Sequence, residues 1–594
     1  MTIIERLSQL RRLMADNSID AYIIVTDDFH GSEYVGSYFK EREFMSGFTG
    51  SAGTLVVLGD WAGLWTDGRY FIQAASQLEG SSIELMRMYE PDVPAIPEFL
   101  SEKLEPGTRV GFDGRTVSIS FARELEKKLS PSDISFVWDI DLVDFIWKDR
   151  PAVSAKPVWE LDIKYTGLSR AVKLSMVREK MRENKAGILI ITALDEIAWL
   201  LNLRGNDVRC TPVFLAYMLI TEDGAALYVR NSIINHKIRD DLENDNIKLN
   251  DYDAIYNDLA GVCREKSVML DTASVNYRIL QSLPENARVI ERQSPVIFMK
   301  AVKTNTEQEN IRCAHIKDGV AVTKFIYWLK TNVPIERITE LDAAAKLEQF
   351  RRSMDGFIES SFDSIIAYGA HGAIVHYEPT PGTNVVMKPE GLCLTDTGAH
   401  YMEGTTDITR TVPLGPLTDE ERRAYTIVLR GHLKLGAAVF TKGVSGPNLD
   451  CLARGPLWEN GMDFNHGTGH GVGYLLNVHE GPQRIHWRIK EKPVPFEAGM
   501  VVSNEPGVYV EGKFGVRHEN LELVCNGERS NYGQIMYFDA LTLVPFDKDA
   551  IDISLMSDNE IKLLNRYHKK VYDAISPWFE GDELGWLQKY TAPL

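Results

Sequence analysis

GLCLTDTGAHYMEGTTDITRTV, residues 391–412, is the stretch from which the fold of the C-terminal half can be read. Its apolar and β-branched runs predict two β-strands joined by a turn near Met402–Gly404. Asp396 ends the first run, and Asp407 lies among the threonines of the second. If the turn centres on Tyr401–Met402, the two aspartates lie directly opposite each other on one face of the hairpin.

Two carboxylates at that distance repel each other, so one of them stays protonated unless a cation holds both. The alternative is that each aspartate only caps a turn, which is a common role of Asp beside Gly. The hairpin alone leaves both interpretations open.

A second segment, HGTGHGVGYLLNVHEGP, residues 466–482, is more specific. His466 and His470 are four residues apart, but the alternating glycines around them disfavour a helix, so a helical zinc motif is not predicted. The segment predicts instead a backbone held close to another group, with imidazoles directed at that group. His479 follows in the same segment, directly before a Glu-Gly-Pro turn.

Two glutamates complete the candidate ligands. Glu505 ends the apolar strand MVVSNE, residues 500–505, before a Pro-Gly turn, a common position for functional side chains. In GVRHENLELV, residues 515–524, strand alternation places Arg517 and Glu519 on the face of two leucines. A buried carboxylate has to be paired or metal-bound, so pairing of Glu519 with Arg517 is the alternative to a metal.

Together these segments offer four carboxylates and one imidazole: Asp396, Asp407, His470, Glu505 and Glu519. Such an oxygen-rich set suits Mn²⁺, with Co²⁺, Fe²⁺ or Zn²⁺ as alternatives, and disfavours a Cys-type structural zinc site. Because the set exceeds what one small cation needs, it predicts two divalent ions roughly 3.5–4 Å apart, bridged by a hydroxide.

The composition excludes other classes of function. The net charge is −19, whereas a sequence-independent nucleic-acid binder needs clustered Lys and Arg. No run of about 18 apolar residues exists to span a membrane, and the charged segment MTIIERLSQLRRLM lacks the apolar stretch of a signal peptide. The six cysteines are widely spaced, as expected of reduced thiols. We therefore expect a cytoplasmic protein that contacts neither nucleic acid nor membrane.

The N-terminal half contains a repeat. RLSQLRRLMADNSIDAYIIVT, residues 6–26, resembles KLSMVREKMRENKAGILIIT, residues 173–192. In both, apolar residues at helical spacing lead into an apolar strand that ends in Thr, and short strands follow. Two copies of one α/β unit explain the likeness, with chance similarity of two amphipathic helices as the alternative.

We therefore expect three domains, residues 1–155, 156–305 and 306–594. The first two hold one copy of the repeat each, and the third holds the candidate site. A capping-box pattern at Thr306 and Glu309 predicts the start of the first helix of the third domain. The tail after Asp552 returns to a helical pattern.

The order and spacing of the five candidate ligands resemble those of the pita-bread metallopeptidases, which include methionine aminopeptidase, prolidase and Xaa-Pro aminopeptidase. The finer resemblance is to the long, three-domain cytosolic Xaa-Pro aminopeptidases. Beyond the segments quoted above, it rests on AIVHY (373–377), SGFTGSAGT (46–54), WTDGRYF (65–71) and TALDEIAWLLNLRG (192–205). The resemblance implies two creatinase-like N-terminal α/β domains, followed by a pita-bread catalytic domain with a helical C-terminal extension.

The resemblance also implies how the ligands divide. Asp396 would bind one ion and His470 the other, while Asp407, Glu505 and Glu519 would link them. Glu505 resembles the general base that takes a proton from the attacking hydroxide or water between the ions.

Four further roles follow from the resemblance. His376 and His479 would bind the scissile peptide and stabilise the tetrahedral intermediate. His466 resembles a histidine that positions substrate or shuttles a proton, and Arg517 one that orients a ligand carboxylate. His518 stands where many relatives carry Ile or Val, and we expect it to be a structural variant.

The implied reaction is hydrolysis of the bond between an N-terminal residue and a proline at position two of a peptide. The resemblance also implies a homodimer. Two alternatives remain: prolidase, which cleaves dipeptides, and a non-catalytic pita-bread protein that binds peptides or histones. The doubled N-terminal unit and the helical tail favour the aminopeptidase over prolidase, and the retention of all five ligands argues against the binding protein.

Overall fold

The structure, a computed structural model, describes residues 1–489 and 492–594. The chain divides into two compact units, Met1–Ile163 with Leu168–Ile297 and Lys164–Gly167 with Phe298–Leu594. The first unit contains both copies of the repeat, and the second contains all five candidate ligands. The division into three domains at residues 155 and 305 stays a prediction.

Each copy of the repeat forms a six-stranded mixed sheet. In the first copy the order across the sheet is Glu84–Arg87, Ala62–Thr66, Thr54–Leu58, Ala21–Val25, Arg109–Phe112 and Ser135–Val137. In the second copy the order is Ile247–Asn250, Ala225–Val229, Ala216–Thr221, Ile188–Ile191, Ser267–Leu270 and Arg288–Glu291. In both, the central strand pairs antiparallel with its neighbour on one side and parallel on the other. The shared order confirms the predicted duplication of an α/β unit.

The helices that lead into the two central strands are Ile3–Asp16 and Arg170–Glu183. Thr2 and Ser169 cap them, because each hydroxyl accepts a hydrogen bond from the backbone N–H three residues later. The apolar positions of these helices are buried: Leu7, Leu10 and Met14 in the first copy, and Leu174, Val177 and Met181 in the second. The central strands are apolar without alternation because both of their faces are buried.

Shorter elements complete the first unit. Its other helices are Glu41–Ser46, Phe71–Gln77, Ile96–Lys103, Ile119–Leu129, Leu194–Leu201, His236–Asn244, Ile255–Val262 and Tyr277–Gln281. Trp159–Glu160 pairs with Leu203–Arg204 in a two-stranded sheet. Two helices, Ile163–Thr166 and Pro295–Ala301, include residues of both units.

The second unit begins its regular structure with the long helix Asn305–Asn332. The predicted capping box at Thr306 and Glu309 is wrong by two residues. Thr304 is the cap: its hydroxyl accepts the Glu307 N–H, and the Glu307 carboxylate accepts the Thr304 N–H at 2.8 Å. Both pairs have the sequence spacing of a capping box, so only the backbone geometry distinguishes them.

Small sheets carry the candidate site. The strands of the two three-stranded sheets are Ile365–Tyr368, Leu392–Thr397 and Ile408–Pro413, and Phe357–Ser360, Ala399–Tyr401 and Gly404–Thr405. A four-stranded sheet has the order Val439–Thr441, Gly533–Ala540, Asn520–Ser530 and Val501–Asn504. Two strand pairs are Gly469–His470 with Arg484–Ile485 and Gly507–Val510 with Phe514–Arg517.

Helices cover these sheets with apolar side chains. The helices are Asn305–Asn332, Glu340–Arg352, Asp419–Gly436, Gly446–Trp458, Asp558–Ile575 and Gly581–Thr591. Phe325 of the first helix packs in one cluster with Ile366 and Val412 of a three-stranded sheet. Leu435 packs with Val502 and Val524 of the four-stranded sheet. The last two helices form the predicted helical extension. No helix within residues 1–489 and 492–594 is both long enough and apolar enough to cross a membrane.

The hairpin of residues 391–412 has a different register from the one that would oppose the two aspartates. Tyr401 pairs with Gly404, so the turn consists of Met402 and Glu403. Asp396 therefore faces Thr409, and Asp407 lies two positions away along the opposite strand. The two aspartates are diagonal neighbours, which still leaves their side chains within reach of each other.

A buried ion pair stabilises this hairpin near its turn. Asp318 accepts hydrogen bonds from Arg351 Nε at 2.8 Å and Nη2 at 3.1 Å. It also accepts hydrogen bonds from Thr406 Oγ1 at 2.8 Å and Tyr401 OH at 3.1 Å. The pair thus connects two helices to the strands on either side of the turn.

We expect Arg351→Leu to lower the stability of the second unit by about 3–5 kcal/mol, because it leaves the Asp318 carboxylate buried without a cation. The measurement is the thermal unfolding midpoint by scanning calorimetry. Arg352→Leu is the matched control: Arg352 pairs with Glu348 on the surface, and we expect its loss to cost at most about 1 kcal/mol. Equal shifts of the unfolding midpoint for the two variants would contradict a stabilising role of the Asp318–Arg351 pair.

Candidate metal centre

The five predicted ligands form one continuous cluster. Ligand atoms of Asp396, Asp407 and Glu519 lie within 4.8 Å of one another, and so do those of His470, Glu505 and Glu519. Asp407 also groups with His470 and His479 at the same spacing. Since these groups share members, the carboxylates and imidazoles surround a common space.

Each candidate ligand lies in a strand or at a strand end, and backbone hydrogen bonds hold these strands together. The Glu505 N–H donates to Thr468 O at 2.9 Å, and the Glu519 N–H donates to Thr409 O at 3.1 Å. The His470 N–H donates to Ser503 Oγ at 2.9 Å. The ligands are therefore fixed to one another through the backbone as well as through their side chains.

The glycines around His470 are required by close packing of the backbone. A Cβ atom at Gly469 would lie 2.0 Å from the Ser503 carbonyl oxygen, and one at Gly471 would lie 2.0 Å from the Glu480 carbonyl oxygen. The sequence predicted such a close approach, and the structure identifies the approached groups as neighbouring backbone. A buried anchor lies beside the segment, where the Glu480 carboxylate lies 3.0 Å from Lys300 Nζ and 3.4 Å from Lys303 Nζ.

In its neutral form, His470 directs an unprotonated ring nitrogen at the carboxylates. Its Nδ1 lies 3.0 Å from the Gly471 carbonyl oxygen, which can only accept, so Nδ1 carries the proton and Nε2 is unprotonated in the neutral ring. Nε2 lies 3.5 Å from Asp407 Oδ2 and 3.5 Å from Glu505 Oε1. These separations are long for hydrogen bonds and suit atoms that coordinate the same ion.

The protonation equilibria of the cluster show an excess of negative charge. Burial raises the pKa of Asp396, Glu505 and Glu519 above the ordinary carboxyl range, and neighbouring carboxylates raise each of them further. Burial lowers the pKa of His470, but Asp407 and Glu505 outweigh it and raise that pKa to about 9. The cluster therefore favours any bound cation, whether a proton or a metal.

The Asp396 carboxylate has one oxygen that calls for a further partner. Among the described residues, Asp396 Oδ1 forms no hydrogen bond, although it is buried. A buried carboxylate oxygen without a partner is costly, and a metal ion satisfies it. The donor set, with four carboxylates and an unprotonated imidazole nitrogen, fits divalent cations of the Mn²⁺, Co²⁺ and Zn²⁺ type.

Arg517 contacts Asp396, and the predicted alternative of a pair with Glu519 is not found. Its Nη2 donates to Asp396 Oδ2 at 2.5 Å, and its Nε donates to the same oxygen at 3.1 Å. Glu519 Oε2 instead accepts a hydrogen bond from Thr409 Oγ1 at 2.8 Å. Arg517 thus fixes one oxygen of Asp396 and leaves the other facing the cluster.

Tyr509 is a residue of the site that the sequence did not single out. Its hydroxyl accepts a hydrogen bond from Arg517 Nη1 at 2.6 Å and donates one to His466 Nε2 at 2.7 Å. His466 Nδ1 in turn donates to Gly467 O at 2.7 Å. A signal was available in the sequence GVYV: strand alternation places Tyr509 on the same face as Gly507, which lies two residues before it.

Of the remaining predicted histidines, two lie at or beside the cluster and one lies outside it. The ring of His479 lies edge-to-face on that of His470, with centroids 4.4 Å apart. His376 is half-buried and follows Val375, whose carbonyl oxygen accepts a hydrogen bond from Arg517 Nη2 at 3.3 Å. His518 lies outside the cluster: its ring is buried edge-to-face on Tyr425 with centroids 4.3 Å apart. Its role as a structural variant stays a prediction.

Known families match the chain over most of its length. Residues 309–526 match the model of metallopeptidase family M24, and residues 534–594 match the model of the C-terminal region of this peptidase family. Residues 6–142 and 149–307 each match a model of the creatinase/prolidase N-terminal domain.

Individual relatives cover the whole chain. A probable Xaa-Pro aminopeptidase P from Laccaria bicolor is 41% identical over 605 aligned residues, which cover 99% of this chain and 93% of the relative. Aminopeptidase P2 from Arabidopsis thaliana is 40% identical and covers 99% of this chain and 88% of the relative.

A solved structure also matches. The crystal structure of X-prolyl aminopeptidase from Caenorhabditis elegans, described as a cytosolic enzyme with a di-nuclear active site, covers all of both chains at 34% identity with a TM-score of 0.95. These matches confirm the predicted fold class, with two creatinase-like domains, a pita-bread catalytic domain and a C-terminal extension. The chain belongs to metallopeptidase family M24 and, within it, to the Xaa-Pro aminopeptidases.

Proposed function

We propose that the protein is a metal-dependent aminopeptidase that hydrolyses the bond between the N-terminal residue of a peptide and a proline at position two. The observation that carries this proposal is the cluster of four carboxylates and His470, in which Asp396 Oδ1 is buried without a partner among the described residues. The full-length likeness to Xaa-Pro aminopeptidases supports the proline preference. Prolidase is the less well supported alternative.

We further propose that Asp396, Asp407, His470, Glu505 and Glu519 hold two divalent ions. The nematode relative, with its di-nuclear site, supports the number of ions, and the oxygen-rich donor set favours Mn²⁺ over Zn²⁺ or Co²⁺. When bound, such ions supply a Lewis acid for the scissile carbonyl and a water of lowered pKa. By analogy with the family, Asp396 would bind one ion and His470 the other, and Asp407, Glu505 and Glu519 would link them.

Glu505 is proposed as the general base. Its side chain retains 18% exposure, so a water molecule can reach it, while burial raises its pKa and makes it a better proton acceptor. Its Oε2 lies 3.9 Å from His466 Nδ1. This proximity and the hydrogen bond from Tyr509 support the proposal that His466 positions substrate or shuttles a proton.

His376 and His479 are proposed to contact the substrate. His479 lies beside His470 and, as a neutral or protonated ring, can donate a hydrogen bond to a carbonyl oxygen whose negative charge grows in the transition state. His376 lies next to the carbonyl that Arg517 holds. Proline at position two offers no N–H to the enzyme, so recognition depends on such contacts to the carbonyl and on the fit of the ring.

We also propose a homodimer in the cytoplasm. The location is supported by the nematode relative, which is described as cytosolic. The dimer is supported by the family resemblance and by exposed aromatic surface on the C-terminal extension, where Trp578 is 51% exposed.

The substrate class and the metal can be tested together. After chelation, we expect no hydrolysis of the peptide Arg-Pro-Pro, and we expect activity to return when Mn²⁺ is added, with release of free arginine measured by chromatography. The dipeptide Gly-Pro is the comparison substrate. Cleavage of Gly-Pro alone would contradict the aminopeptidase and support prolidase, and activity that survives complete metal removal would contradict the metal centre.

Asp407→Asn should abolish turnover, with a loss of at least about 10²-fold, and should reduce the bound Mn²⁺. The amide keeps the size of the side chain but removes the charge that holds the ion. Metal content by mass spectrometry, activity and circular dichroism are measured together. Asp419→Asn, a change at an exposed helix N-terminus, is the control. A fully active Asp407→Asn enzyme would refute the ligand assignment.

His479→Ala should lower kcat about 10²-fold or more, since it removes a donor that acts in the transition state. Steady-state kinetics with saturating Mn²⁺ provide the measurement, and His236→Ala, at an exposed position of the first unit, is the control. An increase in KM with unchanged kcat would show that His479 contributes only to binding.

A further inference from the structure

Arg410 is a buried cation of the second unit. It lies in the strand Ile408–Pro413, three residues after Asp407, and is 2% exposed. Within residues 1–489 and 492–594 it forms no ion pair, and burial lowers its pKa. A buried charge costs free energy unless hydrogen bonds replace its hydration. The hydrogen-bond partners of Arg410 therefore indicate its role.

One edge of the guanidinium contacts the backbone of a candidate ligand. Nη1 donates to the carbonyl oxygen of Glu519 at 2.6 Å and to that of Thr409 at 2.8 Å. Thr409 O also accepts the Glu519 N–H at 3.1 Å, and Thr409 Oγ1 donates to Glu519 Oε2 at 2.8 Å. Glu519 is thus fixed at its N–H, its carbonyl and its carboxylate by two consecutive residues.

The other edge contacts the C-terminal region. Nη2 donates to Val544 O at 2.8 Å and to the hydroxyl of Tyr567 at 2.8 Å. Its two N–H groups are shared with a third acceptor, the side-chain oxygen of Asn520, the residue after Glu519, at 2.7 Å. The Phe546 ring covers the guanidinium, with its centroid 4.0 Å from Cζ. Charge-assisted hydrogen bonds of this kind are stronger than neutral ones, and the planar guanidinium directs them at fixed angles.

Tyr567 belongs to the helix Asp558–Ile575 of the C-terminal extension. Its hydroxyl accepts the hydrogen bond from Arg410 and directs its own proton at nearby backbone oxygens, with Val544 O at 2.8 Å and Thr542 O at 3.1 Å. The extension therefore reaches to within two hydrogen bonds of the Glu519 backbone.

We infer that Arg410 and Tyr567 are positioning residues for Glu519, and that the C-terminal extension sets the metal affinity of the site through them. This inference rests on the proposed function, since it takes Glu519 as a metal ligand. Arg410 orients the ligand strand, and Tyr567 orients Arg410. Neither side chain is among those proposed to contact the substrate, so the inference predicts weaker metal binding with an intact substrate KM.

Tyr567→Phe tests the inference with a minimal change, because it removes one hydroxyl and keeps the ring. We expect its affinity for Mn²⁺, measured by chelator competition on the full chain, to fall about tenfold, the lower end of the range for outer residues of metal sites. Arg410→Lys keeps the charge but loses the planar donors. We expect its affinity for Mn²⁺ to fall further, by up to about a hundredfold. At saturating Mn²⁺ the KM for Arg-Pro-Pro should be that of the wild type, and kcat should be largely restored.

Tyr572→Phe, on the same helix and half-buried, is the matched control and should bind Mn²⁺ like the wild type. A purely structural role would lower the unfolding midpoint of the metal-free protein without changing the Mn²⁺ affinity of the folded state. Wild-type affinity in Tyr567→Phe would overturn the inference even if Arg410→Lys fails to fold. Failure of the wild type itself to bind Mn²⁺ would overturn the proposed function as well.

Discussion

Repulsion among four carboxylates in one buried space is the constraint on which the catalytic unit depends. Burial and mutual repulsion raise the pKa of Asp396, Glu505 and Glu519, so that the cluster in isolation would bind protons. Arg517 is the one arginine or lysine in the described part of the chain whose side chain forms an ion pair with a carboxylate of the cluster, and that carboxylate is Asp396. The remaining charge calls for bound cations, and this requirement explains why so many elements converge on the site.

For these elements to meet at the site, backbone segments have to pack so closely that no Cβ atom fits between them. Gly469 and Gly471 let the histidine segment approach neighbouring carbonyl oxygens, while Glu480 holds its far end through two buried lysines. Backbone carbonyl groups also fix the orientation of the imidazoles. The proton on Nδ1 of both His466 and His470 goes to the carbonyl of the next residue, so each Nε2 is left to accept. In His466 it accepts from Tyr509, and in His470 it faces the carboxylates.

Much of the site could be predicted from the sequence because its residues carry local signals. Aspartates at strand ends, histidines among glycines and a glutamate before Pro-Gly are each visible in a short window, and the structure brings all five candidate ligands together. Register was harder: a turn displaced by one residue moves Asp407 from opposite Asp396 to a diagonal position. Tyr509 and Arg410 escaped prediction because each depends on at least one partner more than 40 residues away in the chain, His466 for Tyr509 and Glu519 for Arg410, which no local pattern encodes.

The repeated sheets of the first unit have a consequence for synthesis of the chain. All strands of the first sheet lie between residues 21 and 137, and all strands of the second lie between residues 188 and 291. Each sheet can therefore close on itself as the ribosome releases it, before any candidate ligand has been translated. Within each sheet the parallel partner of the central strand lies some eighty to ninety residues further along the chain. Such a non-local pairing forms slowly. Vectorial folding in this order keeps the unpaired edge of one copy away from the apolar strands of the next.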